Sequence, residues 1–302
     1  MKKLKIIALI MAISGCVLAQ NNHPIIDMHL HALGGNMVPN RMCFPEPCEK
    51  VPSEVKNSSE LLSATINQMD EHHIVLGALS GDHDLTQKWV EKDSRFVPGS
   101  LIGNPNNVNL EKLETEIKEG KFKILGEVTS QYHEYSVNAP EMDTLFSIAE
   151  KYDLPVWIHL GGLGGSPHFP IEKGNPLDLN EVIRKHPKLR IYVENAAWPF
   201  GDEMIALMYI NPNVYADLST ITWIIPRNTF HSYLKKFVEA GLSKRLMFGT
   251  DQMYWPETIS IAIESINTAG FLTEEQKSDI FYNNAARFLR LSDEEITKHH
   301  GK

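Results

Sequence analysis

The chain has 302 residues, 42% of them apolar, with 38 acidic against 29 basic side chains and a formal charge of −9 at neutral pH. That length and composition fit one large globular domain or two small ones. An acidic body with no cluster of lysines and arginines argues against nucleic-acid binding, which leaves a basic footprint.

In chain order, the first stretch reads as a secretory leader rather than as part of a fold. Lys2, Lys3 and Lys5 precede an apolar run over 6–13, too short to span a bilayer. Two cleavage sites compete. Ile13-Ser14-Gly15-Cys16 is lipobox-like and would leave a lipid anchor on Cys16, whereas Val17-Leu18-Ala19 before Gln20 is an ordinary small-residue site. The first is preferred, because the apolar run then has a natural length. The expectation is a leader over 1–19, or one ending at Gly15, and a single domain over 20–302. The protein would be exported, to a periplasm or to a lipid tether on a bacterial membrane. Cleavage removes three lysines and no acid, so the mature body is more acidic still.

Next comes Ile25-Ile26-Asp27-Met28-His29-Leu30-His31. As a strand it sends Asp27, His29 and His31 to one face and Met28 and Leu30 to the other. Two imidazoles one pleat apart can reach one divalent ion, although a polar edge strand would show the same pattern. Cys43 and Cys48 lie in the Pro-rich loop that follows, and in an exported chain a disulfide between them is expected ahead of two free thiols.

Seven more β-rich runs are predicted over 74–79, 96–102, 122–128, 155–160, 189–193, 214–218 and 246–249. Helical patterns alternate with them over 60–71, 84–92, 110–119, 141–152, 178–186, 202–209, 230–240 and 257–267, and a last helix runs over 274–289. Alternation implies a parallel sheet. Eight strand–helix units imply an α/β fold of the closed (β/α)₈ TIM-barrel type in one domain. A doubly wound open sheet is the alternative, but no Gly-x-Gly-x-x-Gly follows any strand. The long loops over 34–59 and 161–176 both follow strands, on the rim that carries chemistry in a barrel.

Barrel chemistry sits at the C-terminal ends of strands. Those positions hold His29 and His31 on strand one, Glu127 on strand four, His159 on strand five and Asp251 on strand eight. Imidazole nitrogens and carboxylate oxygens suit zinc, manganese or iron(II). Taken singly, His159 reads equally well as a core histidine, Asp251 as a helix cap and Glu127 as half of a buried ion pair. Their coincidence at the ends of apolar strands favours a common ion. His133 and His168 follow strands four and five, and Trp223 and Arg227 follow strand seven. These are second-rank substrate contacts, Arg227 for a carboxylate. His72, His73 and His186 read as helix ends, and His299 and His300 as a frayed tail.

The chain resembles the amidohydrolase superfamily, within it the amidohydrolase-related group that includes aminocarboxymuconate semialdehyde decarboxylase-like enzymes. The resemblance runs over about 25–291. It is carried by Asp-x-His-x-His, Gly126-Glu127-Val128, Pro155-Val156-Trp157-Ile158-His159 and Gly174-Asn175-Pro176, then by Phe248-Gly249-Thr250-Asp251-Gln252-Met253 with Trp255-Pro256, and by Tyr282-Asn283-Asn284-Ala285-Ala286-Arg287-Phe288. The resemblance implies metal ligation by His29, His31, His159 and Asp251, with Glu127 as a strand-four ligand and Asp251 doubling as proton carrier. One position departs. Members of the group usually end strand six with a histidine, and here the text is Val193-Glu194-Asn195-Ala196-Ala197-Trp198-Pro199. Aligning on Ala-x-Trp-Pro puts Asn195 in the histidine's place, as a substrate contact, whereas strand alternation groups Glu194 with Tyr192. The alignment is preferred here, and the missing imidazole favours one ion over two.

The function expected is hydrolysis of a C–N or C–O bond (amide, lactone or ester) in a small molecule by a water that a divalent metal, zinc first, activates. Non-oxidative decarboxylation on the same ligands is the alternative. An inactive secreted binding protein on the same barrel is a third reading. The sequence is silent on oligomeric state.

Overall fold

The computed structural model describes residues 23–34, 53–165 and 168–301. The leader, Cys16 and the Cys43–Cys48 pair lie outside the described residues. Eight strands pair in parallel in chain order: β1 Ile25–Ala32, β2 Ile74–Gly81, β3 Phe96–Ile102, β4 Ile124–Val128, β5 Val156–Ile158, β6 Ile191–Val193, β7 Val214–Asp217 and β8 Leu246–Met247. A helix follows each: α1 Ser58–Glu71, α2 His83–Lys92, α3 Leu110–Lys118, α4 Asp143–Lys151, α5 Leu179–Lys185, α6 Gly201–Ile210, α7 Arg227–Glu239 and α8 Thr258–Asn267. The seam between the first and last strands is closed by backbone hydrogen bonds. Met28 N–H donates to Phe248 O at 2.9 Å, and Asp251 N–H donates to His29 O at 2.8 Å. The (β/α)₈ barrel read from the alternation is the fold observed.

Local chemistry makes these elements. In α1 the Asn57 side chain accepts from the N–H groups of Ser59 and Glu60, and Leu61, Thr65 and Met69 fall on one buried stripe. β5 and β6 are continuous apolar runs because parallel strands under helices are buried on both faces. Apolar side chains form two layers. An outer one lies between strands and helices. An inner one gathers Ile26, Met28, Ile124, Trp157, Tyr192 and Met247, together with Tyr282 and Phe288 from the C-terminal segment. That segment therefore covers one end of the barrel and leaves the strand C-termini for polar groups.

The helix expected over 274–289 is broken. α9 Glu274–Ser278 passes through a π-helical turn, Asp279–Asn283, into α10 Asn284–Leu289. The π turn presents Ile280 O to Phe248 N–H at 2.8 Å, which ties it to the end of β8. The tail expected to fray is instead a helix, α11 Asp293–His299. Ser292 and Glu295 cap its N-terminus reciprocally, and Tyr282 Oη bonds His299 Nδ1 at 2.9 Å. Ser-x-x-Glu was the overlooked signal. None of the described helices is long and apolar enough to cross a membrane.

Candidate metal centre

β1 does not alternate as a plain strand would. Its pairing with β2 steps from Asp27↔Gly77 to Leu30↔Leu79, three residues against two, so a bulge falls at Met28–His29. Ile26 and Met28 face the barrel interior and Leu30 and Ala32 the outer layer. Asp27 therefore does not share the face of the histidines. Its carboxylate accepts from Thr250 N–H at 3.0 Å, Thr250 Oγ1 at 2.6 Å and His29 N–H at 3.0 Å. Burial raises its pKa to about 7 despite those donors. Asp27 fastens the seam and stands apart from the cluster that His29 and His31 join.

β4 breaks register in the same way, from Leu125↔Val156 to Val128↔Ile158, around Gly126 and Glu127. Gly126 has φ +142°, and a Cβ there would meet Trp157 O at 2.5 Å, so only glycine lets β4 approach β5 at this point. Glu127 N–H donates to Ser80 Oγ at 2.8 Å, and the carboxylate turns inward. Bulges on these two strands re-aim side chains towards one point.

The atoms that meet there are mostly acceptors. His29 Nε2 and His31 Nε2 lie 3.1 Å apart. Asp251 Oδ1 is 3.4 Å from the first and 3.0 Å from the second. Glu127 reaches His31 Nε2 at 3.6 Å and, with its other oxygen, His159 Nδ1 at 3.4 Å. Glu194 contacts His159 Nδ1, lies 3.8 Å from His29 Nε2 and accepts from Trp157 Nε1 at 3.0 Å. The outer nitrogens are engaged: His159 Nε2 bonds Leu163 O at 2.9 Å, and His29 Nδ1 faces Asp217 Oδ2 at 3.3 Å. With the outer nitrogens so engaged, His159 Nδ1 and His29 Nε2 are the ring atoms that face the carboxylates.

A cation fits these residues. Asp251 Oδ1 is buried and accepts no hydrogen bond, while Oδ2 is held by the Thr220 hydroxyl. Two donor triads have their ligand atoms within 4.8 Å of one another, His29–His31–Asp251 and His29–Glu127–Glu194. Without a cation, protons must hold the cluster together. Burial opposes charge on His29, but the carboxylates of Asp251, Glu194 and Asp217 raise its pKa well above the usual imidazole range. Burial likewise opposes charge on His159 and His31, and carboxylates again prevail. Burial would raise Asp251, but His29 and His31 hold it well below the ordinary carboxylate range. Burial and the Glu127 carboxylate push Glu194 up to about 7, against the pull of His159 and His29.

The structure thus brings His29, His31, Glu127, His159 and Asp251 together. It also brings in Glu194, which the alignment had passed over for Asn195. Glu194 follows the inward-facing Tyr192, as strand alternation required, and Asn195 turns away with φ +56°. The Asn195 amide nitrogen lies 3.4 Å from Glu194 Oε1, and its oxygen sits 3.0 Å from Ser219 Oγ. Arg227 opens α7 and pairs with Thr268 and Glu264 at the helical layer. His133 is exposed, with its ring against Gly103 rather than the cluster. Tyr132 and Phe169 were not singled out in the sequence. Tyr132 lies 4.8 Å from His159 and 4.7 Å from Phe169, centroid to centroid, as an aromatic wall beside the site. Asp217 was also missed, although an acid ending an apolar strand is the same signal that flagged Glu127.

A manganese- and 2-nitroresorcinol-bound dihydroxybenzoic acid decarboxylase from a Polaromonas species superposes with TM-score 0.65 at 14% identity, over 91% of this chain and 98% of that one. A zinc-bound amidohydrolase from Burkholderia multivorans gives 0.63 at 14%, over 89% and 99%. A probable 2-pyrone-4,6-dicarboxylic acid hydrolase from Acinetobacter baumannii gives 0.62 at 13%, over 88% and 99%. At such identities these likenesses speak for the fold alone. Among curated proteins, Protein fluG of Emericella nidulans is 27% identical over 155 residues, 46% of this chain but 18% of that protein, so the chain spans under a fifth of its length. A family model described as amidohydrolase matches residues 26–291, and the chain belongs to that family.

Proposed function

We propose that this protein is a metal-dependent hydrolase of a C–N or C–O bond, in an amide, lactone or ester of a small molecule. The observation that carries the reading is Asp251 Oδ1, a buried carboxylate oxygen that accepts no hydrogen bond and lies between two imidazole nitrogens. His29, His31, His159 and Asp251, with Glu127 and Glu194, would hold a divalent cation, zinc ahead of manganese or iron(II). A single ion is the reading, because His29 belongs to both donor triads. Such a cation, when bound, acidifies water and polarises a substrate oxygen.

The chain's own residues do the rest. Asp251 takes the proton of the attacking water on its carboxylate and returns it to the leaving group, while the Thr220 hydroxyl bonds Oδ2 and so aims the side chain. His159 is steadied by Leu163 O, and Trp157 Nε1 holds Glu194 in place. The test is metal analysis of the purified protein together with a panel of lactones, amides and esters. About one ion per chain and turnover of a panel member are expected. No bound first-row metal and no hydrolysis would leave a binding protein on the same barrel.

Decarboxylation of a small carboxylic acid is the second reading. Tyr132 and Phe169 favour it, since an aromatic wall suits a flat ring, and one of the structural relatives is named as a decarboxylase. Release of CO₂ from aromatic carboxylates, with no hydrolysis of the panel, would replace the first reading by this one. We further propose export with a lipid on Cys16, checked by mass spectrometry of the mature N-terminus; a chain starting at Gln20 would refute the lipid.

A further inference from the structure

Asp217 ends β7 and is fully buried, yet it lies outside both donor triads. Its two oxygens have different company. Oδ1 accepts from Asn195 N–H at 3.0 Å, Ser219 N–H at 3.0 Å and Ser219 Oγ at 2.5 Å. Oδ2 faces His29 Nδ1 at 3.3 Å. Gly249 leaves room for the pair, since a Cβ there would come within 3.0 Å of His29 Cβ and 3.3 Å of Asp217 Cγ. On the far side of the same ring, His29 Nε2 looks into the cluster.

We infer that Asp217 is the positioning residue that presents His29 to the cation, and that the Asn195–Ser219 turn holds Asp217 for that task. The inference rests on the metal reading above. A neutral imidazole carries one N–H, and a carboxylate can only accept from it. With Asp217 at Nδ1 the proton belongs there, and Nε2 keeps its lone pair for an ion. The three donors around Oδ1 prevent the carboxylate from rotating away. This gives Asn195 a structural place as well: its backbone N–H, freed by the left-handed turn, is one of the three clamps.

Asp217→Asn tests the inference with almost no change of shape. Three donors converge on one side of the side chain, so the amide oxygen must turn to them and its NH₂ must face His29. That arrangement wants Nδ1 bare and the proton on Nε2, pointing at the cation. Zinc affinity would be measured by chelator competition on wild type, D217N and N284A. Asn284 is fully buried and donates to Ser243 O and Leu246 O, remote from the cluster, and N284A therefore reports loss of stability alone. Zinc-loaded wild type with ¹⁵N-labelled histidine reports the tautomer directly.

The expected result is a zinc affinity about 10- to 100-fold weaker in D217N, wild-type affinity in folded N284A, and a His29 proton on Nδ1 in the loaded wild type. Unchanged affinity in D217N, an equal loss in N284A, or coordination of His29 through Nδ1 would overturn it. Should D217N fail to fold, the wild-type spectrum decides alone. A wild type that takes up no zinc, manganese or iron(II) is a separate result that overturns the metal reading itself.

Discussion

Asp251 is held with φ +52°, in a region that side-chain-bearing residues rarely occupy, and its N–H is tied to His29 O. Backbone strain of this kind costs on the order of 1–3 kcal/mol and persists where the surroundings over-determine it. Here it sets a carboxylate between two imidazoles. Replacing Asp251 with Asn keeps an acceptor oxygen but removes the proposed proton carrier. Turnover should fall by about 10²- to 10⁴-fold with most of the metal retained, read from kcat and metal content on one sample; full activity would remove Asp251 from its role. At strand six the two neighbours should separate cleanly. E194A should lose about tenfold or more in metal affinity, and N195A should keep its metal, as judged by chelator competition. Alternation along β6 already implied this, because Tyr192 faces inward and Glu194 is two residues on. Matching Ala-x-Trp-Pro misled because that alignment ignores the left-handed turn that begins at Asn195.

At the scale of elements, two of the strands that supply the cluster, β1 and β4, are irregular. The periodicity of β1 predicts Asp27 beside the histidines, and the bulge at Met28–His29 separates them. A bulge depends on what the neighbouring strand offers and has no local signature strong enough to read. β4 relies on Gly126 in the same sense. G126A would force a Cβ against Trp157 O at 2.5 Å and disfavour φ +142°. It should lower unfolding stability by more than about 2 kcal/mol and reduce metal content, measured by denaturant melts and elemental analysis. At the opposite end of the barrel, α11 depends on its capping box. S292A should cost about 1 kcal/mol in the same melts, with metal content unchanged.

For the whole molecule, the metal-free cluster makes stability depend on pH in a definite direction. His29, His31 and His159 have folded pKa values raised above the ordinary imidazole range, and Glu194 is raised to about 7. Over that range the native state binds more protons than the unfolded chain, so stability falls as pH rises. The histidine contribution is fully present below the unfolded imidazole value and is lost as pH passes the raised folded values. The lowered carboxylates of Asp251 and Glu127 act oppositely, and only in acid. Chelator-stripped protein should therefore melt at progressively lower temperature from neutral to alkaline pH, while the metal-loaded form should hold its melting temperature, because a cation replaces the protons. A stripped protein whose melting temperature rises over that span would contradict the arrangement.

The eight-fold beat of apolar runs and amphipathic helices was legible in the chain, because burial demands are local and periodic. His29, His31, Glu127, His159 and Asp251 were legible for a related reason: a polar group at the end of an apolar strand is costly unless something meets it. The convergence of these side chains, the inward turn of Glu194, the diversion of Asp27 to the seam and the clamp around Asp217 were decided only in three dimensions. Each depends on which atoms of distant strands come within hydrogen-bonding reach, and bulges and left-handed residues change that reach without changing the composition that betrays a strand or a helix.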